Sequence, residues 1–92
     1  MTVKATVTPT SVTLQPIQPR TFRVHSSVPG PNTFRFNPGD GRGWSKVPKY
    51  GDYNRDFRYY WSQVGTYTYQ GSVTNEYYGP GYPASGTARI RY

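Results

Sequence analysis

Few side chains in this sequence could do covalent or acid–base chemistry. His25 is the one histidine, and Asp40, Asp52, Asp56 and Glu76 are the four carboxylates. A nucleophilic hydrolase would set a serine against the histidine and orient that histidine with a third group, yet no Gly-x-Ser-x-Gly turn occurs. A glycosidase needs two carboxylates facing each other across a cleft. Asp40 belongs to a turn, and Asp52 and Asp56 lie beside Arg55 and Arg58, with which they are expected to pair. The run Gly39-Asp40-Gly41-Arg42-Gly43 looks like a phosphate cradle but lacks the lysine and the following helix of a P-loop. Hard oxygen ligands at Asp40, Asp52 and Asp56 would suit calcium, but their spacing is not that of an EF-hand loop. With no cysteine, neither a disulfide nor a thiolate metal site is available. The expectation is no enzyme: no catalytic residues, no metal and no cofactor.

Charge and tyrosine carry the stronger signal. Eleven lysines and arginines face four acids, for a net charge of +7. A surplus of this kind steers a protein toward acidic surfaces: a capsid, neighbouring subunits, an anionic polysaccharide, a membrane or nucleic acid. Arg35, Arg89 and Arg91 are expected on outward positions of neighbouring strands in one sheet, beside Thr66, Thr68 and Gln70. Arg20, Arg23 and Arg58 are expected on the other sheet. The bland alternative is a pair of solvated faces kept soluble by charge. Nucleic acid is the weaker partner, because the cations are spread over both faces and no RRM, KH or zinc pattern is present. Tyr77, Tyr78 and Tyr82 lie among Gly and Pro before the last strand. Tyrosines in such a loop offer large contact area at low entropy cost, as a protein-binding or sugar-stacking surface.

Strands must position these residues. Nine prolines and ten glycines punctuate the chain, apolar residues recur at period two, and no window supports a helix. The segments expected to form strands are Val3–Pro9, Ser11–Leu14 continuing that edge, Arg20–Ser26, Thr33–Asn37, Asp56–Trp61, Gly65–Asn75 and Gly86–Tyr92. Trp44–Tyr53 reads as a short edge strand plus loop. Inward positions are Val3, Ala5, Val7, Phe22, Val24, Phe34, Phe36, Phe57, Tyr59, Trp61, Tyr67, Tyr69, Gly71, Val73, Ala88 and Ile90. Leu, Ile, Val and Phe are scarce, so ten tyrosines and two tryptophans must supply much of the buried area. Six or seven short strands at this spacing predict an all-β antiparallel sandwich in a single domain, residues 1–92. At Gly71, where a large core residue would be usual, a facing ring from Trp44, Phe34 or Phe36 is expected to fill the space.

The stretch Tyr59–Asn75 resembles the second half of PKD domains, an immunoglobulin-like sandwich family with an H-x-Y-x-x-x-G-x-Y-x-V-x-L-x-V-x-N pattern. Trp61, Gly65, Tyr67, Val73 and Asn75 fall on its Tyr, Gly, Tyr, Val and Asn positions. Tyr59 stands at the His, Tyr69 at a Val and Gly71 at the Leu. Upstream, "FRFNPGDG" resembles the family's W-x-F-G-D-G turn, with Phe34 for the Trp and Asn37 and Pro38 as extra residues. The opening "ATVTPTSVTLQP" looks like the first strands of bacterial Ig-like domains. The resemblance implies an Ig-like fold and no activity. Tyr67 falls where such folds place a tyrosine whose hydroxyl bonds nearby backbone.

The expected function is that of a non-catalytic structural interaction module. No apolar run is long enough to cross a membrane as a helix. Met1 opens a polar, strand-like segment without a signal-peptide pattern, which favours a complete small protein. The first expectation is therefore a bacteriophage virion protein, for capsid decoration or as an Ig-like surface protein, docking through basic faces and tyrosine-rich loops. The alternative is an extracellular PKD-type accessory domain of a secreted hydrolase or surface protein, contacting polysaccharide or neighbouring domains.

Overall fold

The computed structural model describes residues 2–92. Among the described residues there are nine strands: β1 (Ala5–Thr8), β2 (Ser11–Leu14), β3 (Arg20–Ser26), β4 (Asn32–Asn37), β5 (Lys49–Gly51), β6 (Asn54–Tyr59), β7 (Gly65–Asn75), β8 (Gly79–Pro80) and β9 (Ala84–Ile90). They form two facing sheets. The smaller runs β1-β3-β6, and the larger runs β2-β9-β7-β4-β5 with β8 paired to β7. The expected all-β sandwich is what forms, with the short β5 and β8 added to the strands read from the sequence. β2 pairs parallel with β9, and the other strand pairings are antiparallel.

One expectation about the first strands is corrected. Ser11–Leu14 does not continue the edge begun by β1; the chain changes sheets between them. Pro9 has no N–H to extend a ladder, so pairing with β3 ends before it. Val12 and Leu14 then align with Ala88 and Ile90, and Leu14 is buried on the far side of the core from β1.

The alternation read from the sequence holds strand by strand. In β3, Phe22, Val24 and Ser26 are buried while Arg23 and His25 are exposed. In β9, Gly86, Ala88 and Ile90 are buried against exposed Thr87 and Arg89. Aromatic rings supply the middle of the core. Phe22 stacks on Phe36 at 5.2 Å between centroids, meets Tyr69 at 4.7 Å and takes the edge of Trp61 at 5.6 Å. Offset and edge-to-face pairs in this range add attraction beyond the area they bury. Their polar ends are satisfied: Trp61 Nε1 donates to the Pro38 carbonyl at 3.1 Å, and the Tyr69 hydroxyl donates to the Pro9 carbonyl.

Two glycines let the packing close. At Gly71 the expected facing ring is absent, and the neighbour is Val24 of the opposite sheet. A Cβ at Gly71 would sit 2.7 Å from Val24 Cγ2 and 3.0 Å from Cγ1. The sheets approach so closely here that a branched aliphatic fills the gap, and Trp44 lies out in a loop, 38% exposed. At Gly86 a Cβ would stand 2.5 Å from Tyr69 Cζ. The bare backbone of β9 is thus the bed on which the buried Tyr69 ring lies.

Candidate functional site

The turn expected at "NPGDGRG" joins β4 to the loop leading to β5. Gly39, Gly41 and Gly43 have φ of 77°, 94° and 77°, in the region that favours glycine. The Asn37 side chain accepts from Gly39 N at 2.9 Å, and Asp40 Oδ1 accepts from Arg42 N at 3.2 Å. The other Asp40 oxygen accepts from the Tyr59 hydroxyl. Tyr59, the residue at the histidine position of the resembled pattern, therefore ties β6 to this turn. Burial, together with that hydrogen bond, pushes the Tyr59 phenol up to about 12 from its ordinary 10.0. Burial also raises Tyr69.

A raised tyrosine makes folding pH-dependent with a definite sign. Between about pH 10 and about pH 12 the unfolded chain gives up the Tyr59 proton while the folded chain holds it, so stability falls as pH rises through that window. Below pH 10 the contribution is whole. Tyr59→Phe is expected to lose less of its melting temperature between pH 9 and pH 11 than the wild type does. An equal loss in the two would remove Tyr59 as the source.

The carboxylates sit in separate places. Asp56 pairs with Arg23 across the strands at 2.8 Å, which lowers its pKa, the hydrogen bond from Arg23 being the main cause. Asp52 accepts from Gly30 N at 2.6 Å. The expectation that Arg55 or Arg58 would pair with these two acids is thus corrected: Arg23 and Asp56 are directly opposite in the β3–β6 register, a closer placement than sequence neighbours can reach. Arg55 Nε instead donates to the Tyr50 carbonyl at 2.5 Å. His25 stacks on Tyr53, 6.0 Å between centroids. Among the described residues no group of three or more His, Cys, Asp or Glu side chains is gathered as a metal site would require.

The arginines expected on one sheet are there but apart. Arg89 is opposite Thr66 and Arg35 is opposite Ser72, which separates them by roughly 20 Å along β7 at a strand's rise. Arg35 is half-buried, and its guanidinium donates to the Ser45 carbonyl at 2.8 Å. Arg91 lies past β9 in a shallow cleft with Gln15, Gln18 and Tyr92. On the small sheet Arg23 is matched by Asp56, and Arg58 is exposed without a carboxylate partner among the described residues. The loop tyrosines point outward: Tyr77, Tyr78 and Tyr82 are 75%, 51% and 68% exposed. Their backbone is fixed from within. Asn75 Oδ1 accepts from Tyr77 N at 2.9 Å and Tyr78 N at 3.1 Å. Tyr82 exchanges backbone bonds with Val3 and Ala5 beside β1. This cluster follows the end of β7, whereas Arg89 is beside its beginning, so the two expected binding groups occupy opposite ends of the molecule.

The structure also assembles a site that sequence reasoning missed. Between β4, β6 and the loop after the glycine turn lies a groove of about 300 Å³. Phe36, Trp44, Phe57 and Tyr59 form its apolar lining, and Arg42, Lys46 and Arg58 stand around it. The signal was present in the run Arg42-Gly43-Trp44-Ser45-Lys46, where a tryptophan sits between two cations in a glycine-bearing loop. Naming Trp44 with Phe34 and Phe36 as a ring to fill the space over Gly71 concealed it.

No family model and no curated protein matches the chain. Among solved structures, the PKD domain of M14-like peptidase from Thermoplasmatales archaeon SCGC AB-540-F20 is similar, with a TM-score of 0.71 at 14% identity, covering 99% of this chain and 94% of that one. The fold is an Ig-like β-sandwich of the PKD type. Two residues shared with the pattern have visible structural work in it: the Tyr67 hydroxyl donates to the Gln63 carbonyl at 2.9 Å, as a tyrosine corner does, and Asn75 is buried at the end of β7.

Proposed function

We propose that the chain is a non-catalytic interaction module that docks on an acidic partner surface. The observation that carries this reading is the uncompensated charge. Only Arg23 and Arg42 reach a carboxylate among the described residues, so most of the eleven lysines and arginines face solvent ready to meet one. Asp40, Asp52 and Asp56 are engaged by a tyrosine, a backbone amide and an arginine, which favours docking over chemistry. Arg89 and Arg91 at one end and Tyr77, Tyr78 and Tyr82 at the other give two contact patches suited to a module held between neighbours.

A small virion protein on a capsid is the first setting this suits. An extracellular PKD-type accessory domain, in contact with polysaccharide or adjoining domains, is the second, and the similarity to a peptidase's PKD domain favours it. The docking chemistry is tested by adsorption to a polyglutamate-coated sensor. Binding is expected at low ionic strength, falling as salt rises past ~0.15 M, where screening acts within about 8 Å. Arg89→Glu with Arg91→Glu should weaken it several-fold; unchanged binding would sink the reading. Arg35 is left alone because it holds Ser45. A genomic reading frame that continues into a hydrolase or surface-protein module assigns the second setting, and one closed at both ends among capsid genes assigns the first.

A further inference from the structure

The groove beside β6 combines three features that point to one kind of occupant. Its walls are apolar, with Trp44, Phe57 and Tyr59 presenting rings to it. Its rim is cationic, with Arg42, Lys46 and Arg58. Its third feature is an open strand edge. In the β3–β6 ladder Ser26 N donates to Tyr53 O, so by the alternation of an antiparallel pair the backbone groups of Arg55, Phe57 and Tyr59 face β3. Those of Asp56 and Arg58 face away. Lys49 Nζ already donates to the outward Asp56 carbonyl at 2.5 Å. The outward N–H and C=O of Arg58 have no partner among the described residues.

We propose that this groove binds an extended acidic peptide segment, which adds as a strand along β6 at Arg58 and places an apolar side chain against Trp44, Phe57 and Tyr59. Strand addition gains affinity from main-chain hydrogen bonds and specificity from alternate side chains. The alternation fits. A residue opposite Arg58 would pair with its free N–H and C=O and turn its own side chain outward, beside the Arg58 guanidinium, where a glutamate is favoured. The residues on either side of it would turn inward, where a phenylalanine or valine meets the rings. Arg42 and Lys46 attract the remaining carboxylates from the opposite lip. A uronic-acid chain would satisfy the cations but not the strand edge. Of the neutral polar groups in the lining, the Tyr59 hydroxyl is already bonded to Asp40 and Ser45 Oγ already accepts from Phe36 N at 3.2 Å, so the Trp44 indole N–H is what the groove offers sugar hydroxyls.

The proposal rests on the reading of the chain as a docking module but uses residues other than Arg89 and Arg91, neither of which lines the groove. The probe is a fluorescein-labelled heptapeptide, Glu-Val-Glu-Phe-Glu-Val-Glu, followed by anisotropy. Saturable binding is expected, with a blue shift in the emission of Trp44, the more exposed of the two tryptophans. Arg58→Glu, a change at an exposed position, should weaken the affinity at least tenfold, and so should Trp44→Ala. N-methylation of the glutamates should weaken it as much, because it blocks main-chain pairing without altering charge. Arg89→Glu with Arg91→Glu should leave it unchanged. An N-methylated peptide that binds as well as the parent overturns strand addition. Trigalacturonate binding in the groove in place of the peptide overturns the peptide assignment. A peptide that does not bind, on a chain still held by polyglutamate through Arg89 and Arg91, overturns this proposal and leaves the broader reading standing; loss of both overturns both.

Discussion

Gly71→Leu is expected to destabilise the fold by roughly 1–3 kcal/mol, the range for overpacking a close-packed core. The obstruction starts at the first added atom, since a Cβ alone would stand 2.7 Å from Val24 Cγ2. Val24 is fully buried on β3, the middle strand of its sheet, with β1 on one side and β6 on the other, and has no room to retreat. Nor can β7 retreat, because Gly71 is opposite Phe36 on one side and Ala84 on the other. Gly71→Ala should show the same effect in smaller measure. Combining it with Val24→Ala removes both methyls that the new Cβ meets, so the double variant should be more stable than the two single losses predict. Urea unfolding midpoints across this four-member cycle measure that coupling. Additive losses would show that Val24 is not the obstruction, and an unperturbed Leu variant would show that the space is empty.

Most of the sandwich was legible because period-two alternation depends on local backbone geometry alone. Phe22 and Val24, Phe34 and Phe36, and Ala88 and Ile90 are buried where alternation places them, and the glycine turn announced itself by composition. Distances between strands were not legible. Arg35 and Arg89 occupy the same outward face, but the stagger of β4 and β9 on β7 sets them apart, and no local pattern encodes stagger. The pairing of Asp56 with Arg23 failed for the same reason: thirty-three positions in sequence become one rung in the register. The identity of the residue over Gly71 needed the facing sheet. The groove needed both, since Trp44 and Phe57 come to line one cavity only once β4 and β6 have been placed in different sheets.

Asn75→Ala is expected to be among the most damaging single changes, at about 2–4 kcal/mol, because several buried groups lose their partners at once. Asn75 is 1% exposed. Its amide nitrogen donates to the Pro29 carbonyl at 3.0 Å and to Asn32 Oδ1 at 2.8 Å, while its oxygen accepts from Tyr77 N and Tyr78 N. Asn32 in turn donates to the Val28 and Asp52 carbonyls, so one side chain links the ends of β4 and β7 to the tyrosine turn. Asn75→Asp separates the two halves of this role. It keeps the acceptor for Tyr77 and Tyr78 but sets a carboxylate against the oxygens of Asn32 and Pro29. The carboxyl would be held above its usual range, so the variant's stability should be best at low pH, whole below the ordinary aspartate value of about 3.9, and fall as pH rises from there through the raised folded value. Unfolding curves at pH 3 and pH 7 test this, with the wild type as reference. If Asn75→Asp matched the wild type at pH 7, the amide nitrogen would not be a necessary donor, and the ordering of Tyr77 and Tyr78 would rest on the oxygen alone. If both variants were stable but Asn75→Ala lost its loop contacts, the residue would serve the binding surface and not the fold.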